Sequence, residues 1–215
     1  MADAGEINFD DLVHRAAGGD EPALAALFDR YRPRLRQMVR LRLDRRLQGR
    51  VDPSDVLQEA YIDLAQKLPE FVHKPAMPFF LWLRLVTGER LLRIHRQHLG
   101  AAMRDAGREI SLQQGALPQA SSVSLAAQLL GRFTSASRAV ARAESQRLLQ
   151  EALGAMEPID REIIALRHFE ELSNDESAAV LGLTKAAASK RYVRALLRLK
   201  AAMADTLGSS APAPS

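Results

Sequence analysis

Asp55, Glu59 and Asp63 recur at four-residue intervals, so a helix would carry three carboxylates along one side. A magnesium-dependent nucleic-acid enzyme needs such a carboxylate cluster, and a zinc enzyme needs grouped His and Cys. The chain has five histidines and no cysteine, and no second ligand is spaced to help His95. No G-x-x-x-x-G-K phosphate loop is present either. No catalytic residue, metal ligand set or cofactor is therefore assigned, and the side chains that dominate are those of binding.

Charge points toward a polyanion. The net charge is +4, and 25 of the 30 Lys and Arg residues are arginine, the better fork for phosphate and guanine. Between residues 30 and 50 lie Arg30, Arg32, Arg34, Arg36, Arg40, Arg42, Arg45, Arg46 and Arg50, against only Asp29 and Asp44. Such a cluster is either a solvated face or a source of nonspecific attraction to DNA. A second basic stretch carries Arg84, Arg90, Arg93, His95, Arg96 and His98, with Glu89 as its only acid. The acidic N-terminal stretch has no apolar core of signal length, and no run approaches the 18 apolar residues of a membrane span. A soluble cytoplasmic protein is expected.

The elements that must position these groups are helical; no segment alternates like a strand. A short helix fits Phe9–Ala17. Asp20 then caps a longer helix with Pro22 in its first turn and a bend expected at Pro33. VDPSD starts the next: Asp52 caps, Pro53 takes the first helical position, and Asp55 favours the positive helix end. On this helix Leu57, Tyr61, Leu64 and Leu68 share a core face, while Asp55, Gln58, Glu59, Ile62 and Gln66 share a polar face around one exposed aliphatic. A further helix runs from Phe79 to His98, with Trp82, the only tryptophan, read as core. Residues 101–143 read as a flexible linker with one loose helix, residues 205–215 as a disordered tail. The fold class is all-α: two small helical domains, 1–100 and 144–204.

The second domain ends in ELSNDESAAVLGLTKAAASKRYVRALLRLK. Ser173 and Glu176 form a capping box, Gly182 suits a left-handed helix end, Leu183 can plug the corner, and Thr184 can cap a second helix from Lys185. This is helix-turn-helix geometry, whose second helix offers its early residues to the major groove. Ala188, Tyr192, Ala195, Leu196 and Leu199 fall on one face of that helix, Lys185, Ser189, Lys190, Arg191 and Arg194 on the other.

Three stretches in order resemble bacterial RNA polymerase sigma factors of the sigma-70 family, extracytoplasmic-function type. Residues 145–199, from SQRLLQEALGAMEPIDREIIALRHFEELS onward, resemble region 4; VDPSDVLQEAYIDL and PFFLWLRLVTGERLLRIHR resemble region 2. The resemblance implies a fold of regions 2 and 4 without region 3. It implies core RNA polymerase (β′ clamp and β flap) and promoter DNA as partners, and an anti-sigma factor, which no residue here singles out. It assigns polymerase binding to Asp55, Gln58, Glu59 and Ile62. It assigns −10 element contacts to Phe71, His73, Lys74, Phe79, Arg93 and Arg96, with 71–78 as the loop that captures a flipped base. It assigns −35 element contacts to Thr184, Lys185, Ser189, Lys190, Arg191 and Arg194. The sequence departs from the family at Gly88, near an expected Asn, at Ala187 and Ala188, where Thr and Val are usual, and at Ser177, where an aliphatic usually packs.

Readings from other classes are a stand-alone helix-turn-helix regulator, an enzyme, and an adaptor that only sequesters another regulator. The first lacks the βα alternation of a sensing domain, the second its chemistry, the third any use for two DNA surfaces.

Overall fold

The computed structural model describes residues 9–99, 117–133 and 139–208. The predicted tail, 205–215, lies outside them from residue 209, as do residues 101–116 and 134–138 of the predicted linker, 101–143. No strand occurs among the described residues. The chain divides into two compact units, Met1–Pro118 and Gln119–Ser215.

The first unit holds α1 (Phe9–Ala17), α2 (Glu21–Arg42), α3 (Pro53–His73) and α4 (Phe79–Leu99). Its caps agree with the sequence. The Ala23 N–H donates to Asp20 Oδ1 at 3.1 Å. The Ser54 N–H donates to Asp52 Oδ1 at 2.7 Å, and the Asp52 N–H donates to Asp55 Oδ2 at 3.0 Å, closing a capping box. α2 continues through Pro33. Leu27, Leu35, Met38, Leu64, Leu68, Leu83 and Leu91 are fully buried where the helices meet, and each such side chain contributes roughly 1.5–3 kcal/mol of burial. At Gly88 of α4 the Leu117 side chain lies so close that a β-carbon there would collide with it. The missing side chain at this position is thus a packing requirement unless Leu117 moves.

The second unit contains α5 (Ser122–Phe133), α6 (Ala139–Ala155), α7 (Pro158–Ile164), a π turn over Ala165–Phe169, α8 (Asn174–Leu181) and α9 (Lys185–Gly208). α5 lies within the stretch that reads as linker, yet it buries Leu125, Ala126, Leu129 and Leu130 and packs on α6. The Arg161 guanidinium donates to the carbonyls of Leu153 and Met156, 3.1 and 2.6 Å away, and so satisfies the open C-terminal end of α6. The π turn carries buried Leu166 and Phe169 into the core. Glu171 comes next with φ 57°, an unusual conformation for a residue with a β-carbon. Ser173 accepts from the Glu176 N–H, Glu176 accepts from the Ser173 N–H, and Gly182 adopts φ 64°. Ala188, Ala195 and Leu199 are buried, whereas Leu196, which the sequence places on the core face, is 36% exposed.

Ser177 is fully buried and its hydroxyl meets no hydrogen-bond partner. A buried hydroxyl without a partner costs free energy, and alanine fits the helix better. Ser177→Ala should raise the unfolding free energy of the second unit by about 1 kcal/mol, read by urea or thermal denaturation.

Candidate functional site

The α3 helix sorts its side chains by depth. Val56, Leu57, Ala60, Leu64 and Leu68 are buried, while Asp55, Gln58, Glu59 and Ile62 are exposed on the opposite side at spacings of three and four. Ile62 is 57% exposed, an aliphatic with nothing over it among the described residues. Asp63 is turned inward. Arg90 of α4 grips both its oxygens, with Nε to Oδ2 at 2.8 Å, and sends Nη1 to Glu59 at 3.0 Å. Burial pushes the Asp63 carboxyl upward, but the Arg90 hydrogen bond and charge, with Arg93 and Lys67 behind, bring it below its ordinary value. Lys67 also closes on Glu89 at 2.6 Å. The two helices are thus joined by ion pairs at the edge of the exposed face.

The 71–78 segment and the start of α4 carry an aromatic cluster. Phe71 stacks on Trp82 with centroids 4.4 Å apart, and Phe79 packs against Phe9, Phe71 and Trp82. Tyr31 stacks on Phe80, and Arg34 sits 3.6 Å from the Phe80 ring centre. Phe71 and Phe79 therefore serve the packing beneath the loop. His73, Lys74, Pro75 and Met77 stay exposed on it, and Arg96 is exposed on α4. Arg93 is partly exposed, its guanidinium 3.8 Å from Asp63. His95 is buried, and its Nε2 accepts from the Asp44 N–H at 3.3 Å. It is not available to a phosphate.

In the second unit, Thr184 accepts from the Ala187 N–H at 3.2 Å, and Asn174 donates to the Lys185 carbonyl at 2.9 Å. These bonds fix the corner between α8 and α9. Lys185, Ala186, Ala187, Ser189, Lys190 and Arg194 are exposed along the first turns of α9, with Lys185 also meeting Asp175. Arg191 is held differently. Its Nη1 donates to Asp160 at 2.7 Å and to Glu157 at 2.9 Å, while Arg198 donates to the other Asp160 oxygen at 2.6 Å. Asp160 is buried, so the two arginines of α9 neutralise an acid at the start of α7. The Arg191 hydrogen bond and charge hold the Glu157 carboxyl below its usual range.

A family description, Sigma-70 region 4, matches residues 146–199. Over 191 residues the chain is 27% identical to the ECF RNA polymerase sigma factor SigD of Mycobacterium tuberculosis, covering 89% of this chain and 82% of that one. Over 53 residues it is 38% identical to the RNA polymerase sigma-E factor of Streptomyces coelicolor, covering 25% of this chain and 30% of that one. The solved structure of CnrH in complex with the cytosolic domain of CnrY is similar, with a TM-score of 0.54 and 25% identity over 94% of this chain and 99% of that chain. The chain is a sigma factor of the sigma-70 family, of the extracytoplasmic-function type.

The region 4 match takes in Asp160 and Arg191, so the ion pairs that seat α9 of this sigma factor lie inside the matched segment. Asp160, Arg198, Asp63 and Arg90 escape a reading of sequence because each pair joins residues 27 to 38 positions apart. Among the described residues no group of His, Cys, Asp or Glu could hold a metal ion, and no helix is long and apolar enough to cross a membrane.

The geometry separates two kinds of α9 cation in the sigma factor. Arg191→Ala should lower the unfolding free energy of the second unit by about 1–2 kcal/mol, because Asp160 loses a partner while buried. Lys190→Ala should stay within about 0.5 kcal/mol of wild type, yet lower the salt slope of duplex binding by about one. Paired denaturation and salt-titrated anisotropy measure both.

His95 supplies a pH dependence. Burial lowers its pKa, against the pull of Asp44, so the folded state favours neutral imidazole. A lowered histidine pKa contributes stability that is fully present above the unfolded value, about 6.5, and is lost as pH falls below it. Asp44 and Asp63 have lowered values and titrate further down. The first unit should therefore lose stability as pH falls below about 6.5, and His95→Gln should flatten that slope in denaturation curves.

Proposed function

We propose that the first unit docks this sigma factor on core RNA polymerase through the exposed α3 face and opens the −10 element along α4, and that α9 reads the −35 element. The observation that carries this reading is the split of α3 into a buried side and an exposed side bearing Asp55, Gln58, Glu59 and Ile62. An exposed aliphatic ringed by carboxylates and an amide suits a basic protein partner, with charge steering encounter and fixing register. Beside it, Lys74, Arg93 and Arg96 supply cations, and His73 a polar ring, next to a loop raised on stacked aromatics, a fitting place for an unstacked strand. On α9 the small Ala186 and Ala187 let the backbone come close to DNA, and Lys185, Ser189, Lys190 and Arg194 are placed to reach phosphates and base edges.

The mechanism is binding and melting without covalent chemistry. Contacts to flipped bases and phosphates offset the cost of unpairing. The partners are core polymerase, at the β′ clamp and β flap, and promoter DNA, in the cytoplasm. CnrH was solved in complex with the cytosolic domain of CnrY. That likeness supports a second protein partner, and the family resemblance makes it an anti-sigma factor.

Co-elution with bacterial core polymerase tests the dock. Wild type should co-elute, and the Asp55→Lys, Glu59→Lys double variant should bind at least about tenfold more weakly, because two attractive contacts become repulsive. Without polymerase, duplex binding should be weak and insensitive to promoter sequence. Equal co-elution of the two proteins would remove the α3 face from the function.

A further inference from the structure

Gly88 stands in the middle of α4, where no turn or helix end calls for glycine. Glycine is the poorest helix former after proline, so its place here asks for another reason. The reason lies against it. A β-carbon at Gly88 would overlap Cδ2 and Cγ of Leu117. Among the described glycines, Gly88 alone meets a side chain in this way. Leu117 comes from the stretch that reads as linker, yet it groups with the first unit. It is outside any helix, and Pro118 after it favours an extended backbone.

The seat is wider than one residue. Leu85 and Leu92 lie three before and four after Gly88, so they share its edge of the helix. Both are half-buried. This edge is separate from the one that Leu83, Leu91 and Ile94 turn into the core. Leu117 is itself half-buried, with one side on α4 and the other toward solvent. A single half-buried leucine is a weak hold. It suits a contact that opens when a competing ligand arrives, and the core does not depend on it.

The helix under this contact is the one that carries the promoter-facing cations, and they are not equally available. Arg96 is exposed and Arg93 partly exposed. Arg84, one turn before Gly88 on the same edge, is 6% exposed. A strand laid along α4 would meet Arg96 freely, and would meet Leu117 at the edge of Gly88.

We propose that Leu117 is an autoinhibitory clip. Seated on Gly88, it covers an edge of α4, and DNA must displace it to lie along the helix. The inference rests on the reading that α4 binds the −10 element. It gives the free chain a closed population, and apparent DNA affinity falls in proportion to the fraction that is open.

The test uses the full chain without polymerase and a labelled single strand of mixed sequence, about 20 nucleotides long, read by anisotropy at several salt concentrations. Leu117→Ser removes the clip. Gly88→Ala expels it from the other side while favouring the helix. Neither changes charge. Both should bind the strand about threefold to tenfold more tightly than wild type, with the same salt slope. The double variant should bind no more tightly than either single one, because the two changes open one contact. Gln119→Ala, exposed beside the clip, should bind as wild type does. Thermal melts check folding, and Leu117→Ser, at a half-exposed position, carries the test alone if Gly88→Ala unfolds.

Wild-type affinity in a folded variant overturns the clip. So does a loss of affinity, which would make Leu117 part of the DNA contact and not its cover. Arg93→Glu with Arg96→Glu runs alongside. If it weakens strand binding while the clip variants match wild type, α4 stands as a DNA surface and the clip alone falls. If it binds as wild type does, the reading of α4 has failed, and the inference falls with it.

Discussion

Asp63 is a carboxylate taken almost out of water between α3 and α4, and Arg90 closes on both of its oxygens. A buried charge is tolerated only with a matched partner, so this pair fixes how the two helices face each other. The rotation of α3 is a consequence. Asp63 lies at the edge of the exposed face, one turn beyond Glu59, so with Asp63 turned toward α4 the side bearing Asp55, Gln58 and Ile62 is left outward. So is the rotation of α4, because Arg90 inward leaves Arg96 toward solvent. The exposed faces of α3 and α4 thus agree with this contact and with the buried leucines beside it. Because Arg90 also reaches Glu59, one side chain joins the exposed α3 face to α4.

The second unit solves the same problem with the roles reversed. Asp160 is the buried acid, and both arginines come from the helix it orients, α9. They are seven residues apart, two turns, so they approach Asp160 from one side and leave Lys185, Ser189 and Lys190 exposed on the early turns. A recognition helix held only by Ala188, Ala195 and Leu199 would have small contacts to resist rotation. The charge pairs supply the direction that alanine packing does not.

Local chemistry was legible in the sequence. Asp20, Asp52, Ser173 and Gly182 mark helix ends by their own hydrogen-bonding or backbone preferences, and each sits at the end it announces. The exposed side of α3 was legible because a helical period separates it from Leu57, Leu64 and Leu68. What depends on distant partners was not. Arg191 looks like its neighbours Lys190 and Arg194 until Asp160, 31 residues earlier, is placed under it. His95 looks like another cation on a basic helix until the Asp44 amide claims it. Phe71 and Phe79 look like base-stacking rings, but Trp82 and Phe9 fill their faces. The α5 helix falls in the stretch that reads as a linker with one loose helix, because glycine and serine surround it, and Leu125, Leu129 and Leu130 form a stripe wide enough to bury against α6.

The stacked carboxylates of α3 show why spacing alone does not define a site. Asp55, Glu59 and Asp63 have the periodicity of a metal cluster, yet each is committed to a different donor. Asp55 accepts from the Asp52 amide, Glu59 from one arm of Arg90, and Asp63 from the other arms of the same guanidinium. A divalent ion would have to displace that guanidinium, whose geometry already satisfies Asp63. The series is instead graded by depth. Asp63 is buried and structural, Glu59 is half committed, and Asp55 stands exposed at the helix start with one oxygen unused by the cap. Charge that is neutralised inside holds the scaffold, and charge left outside is what a partner can read.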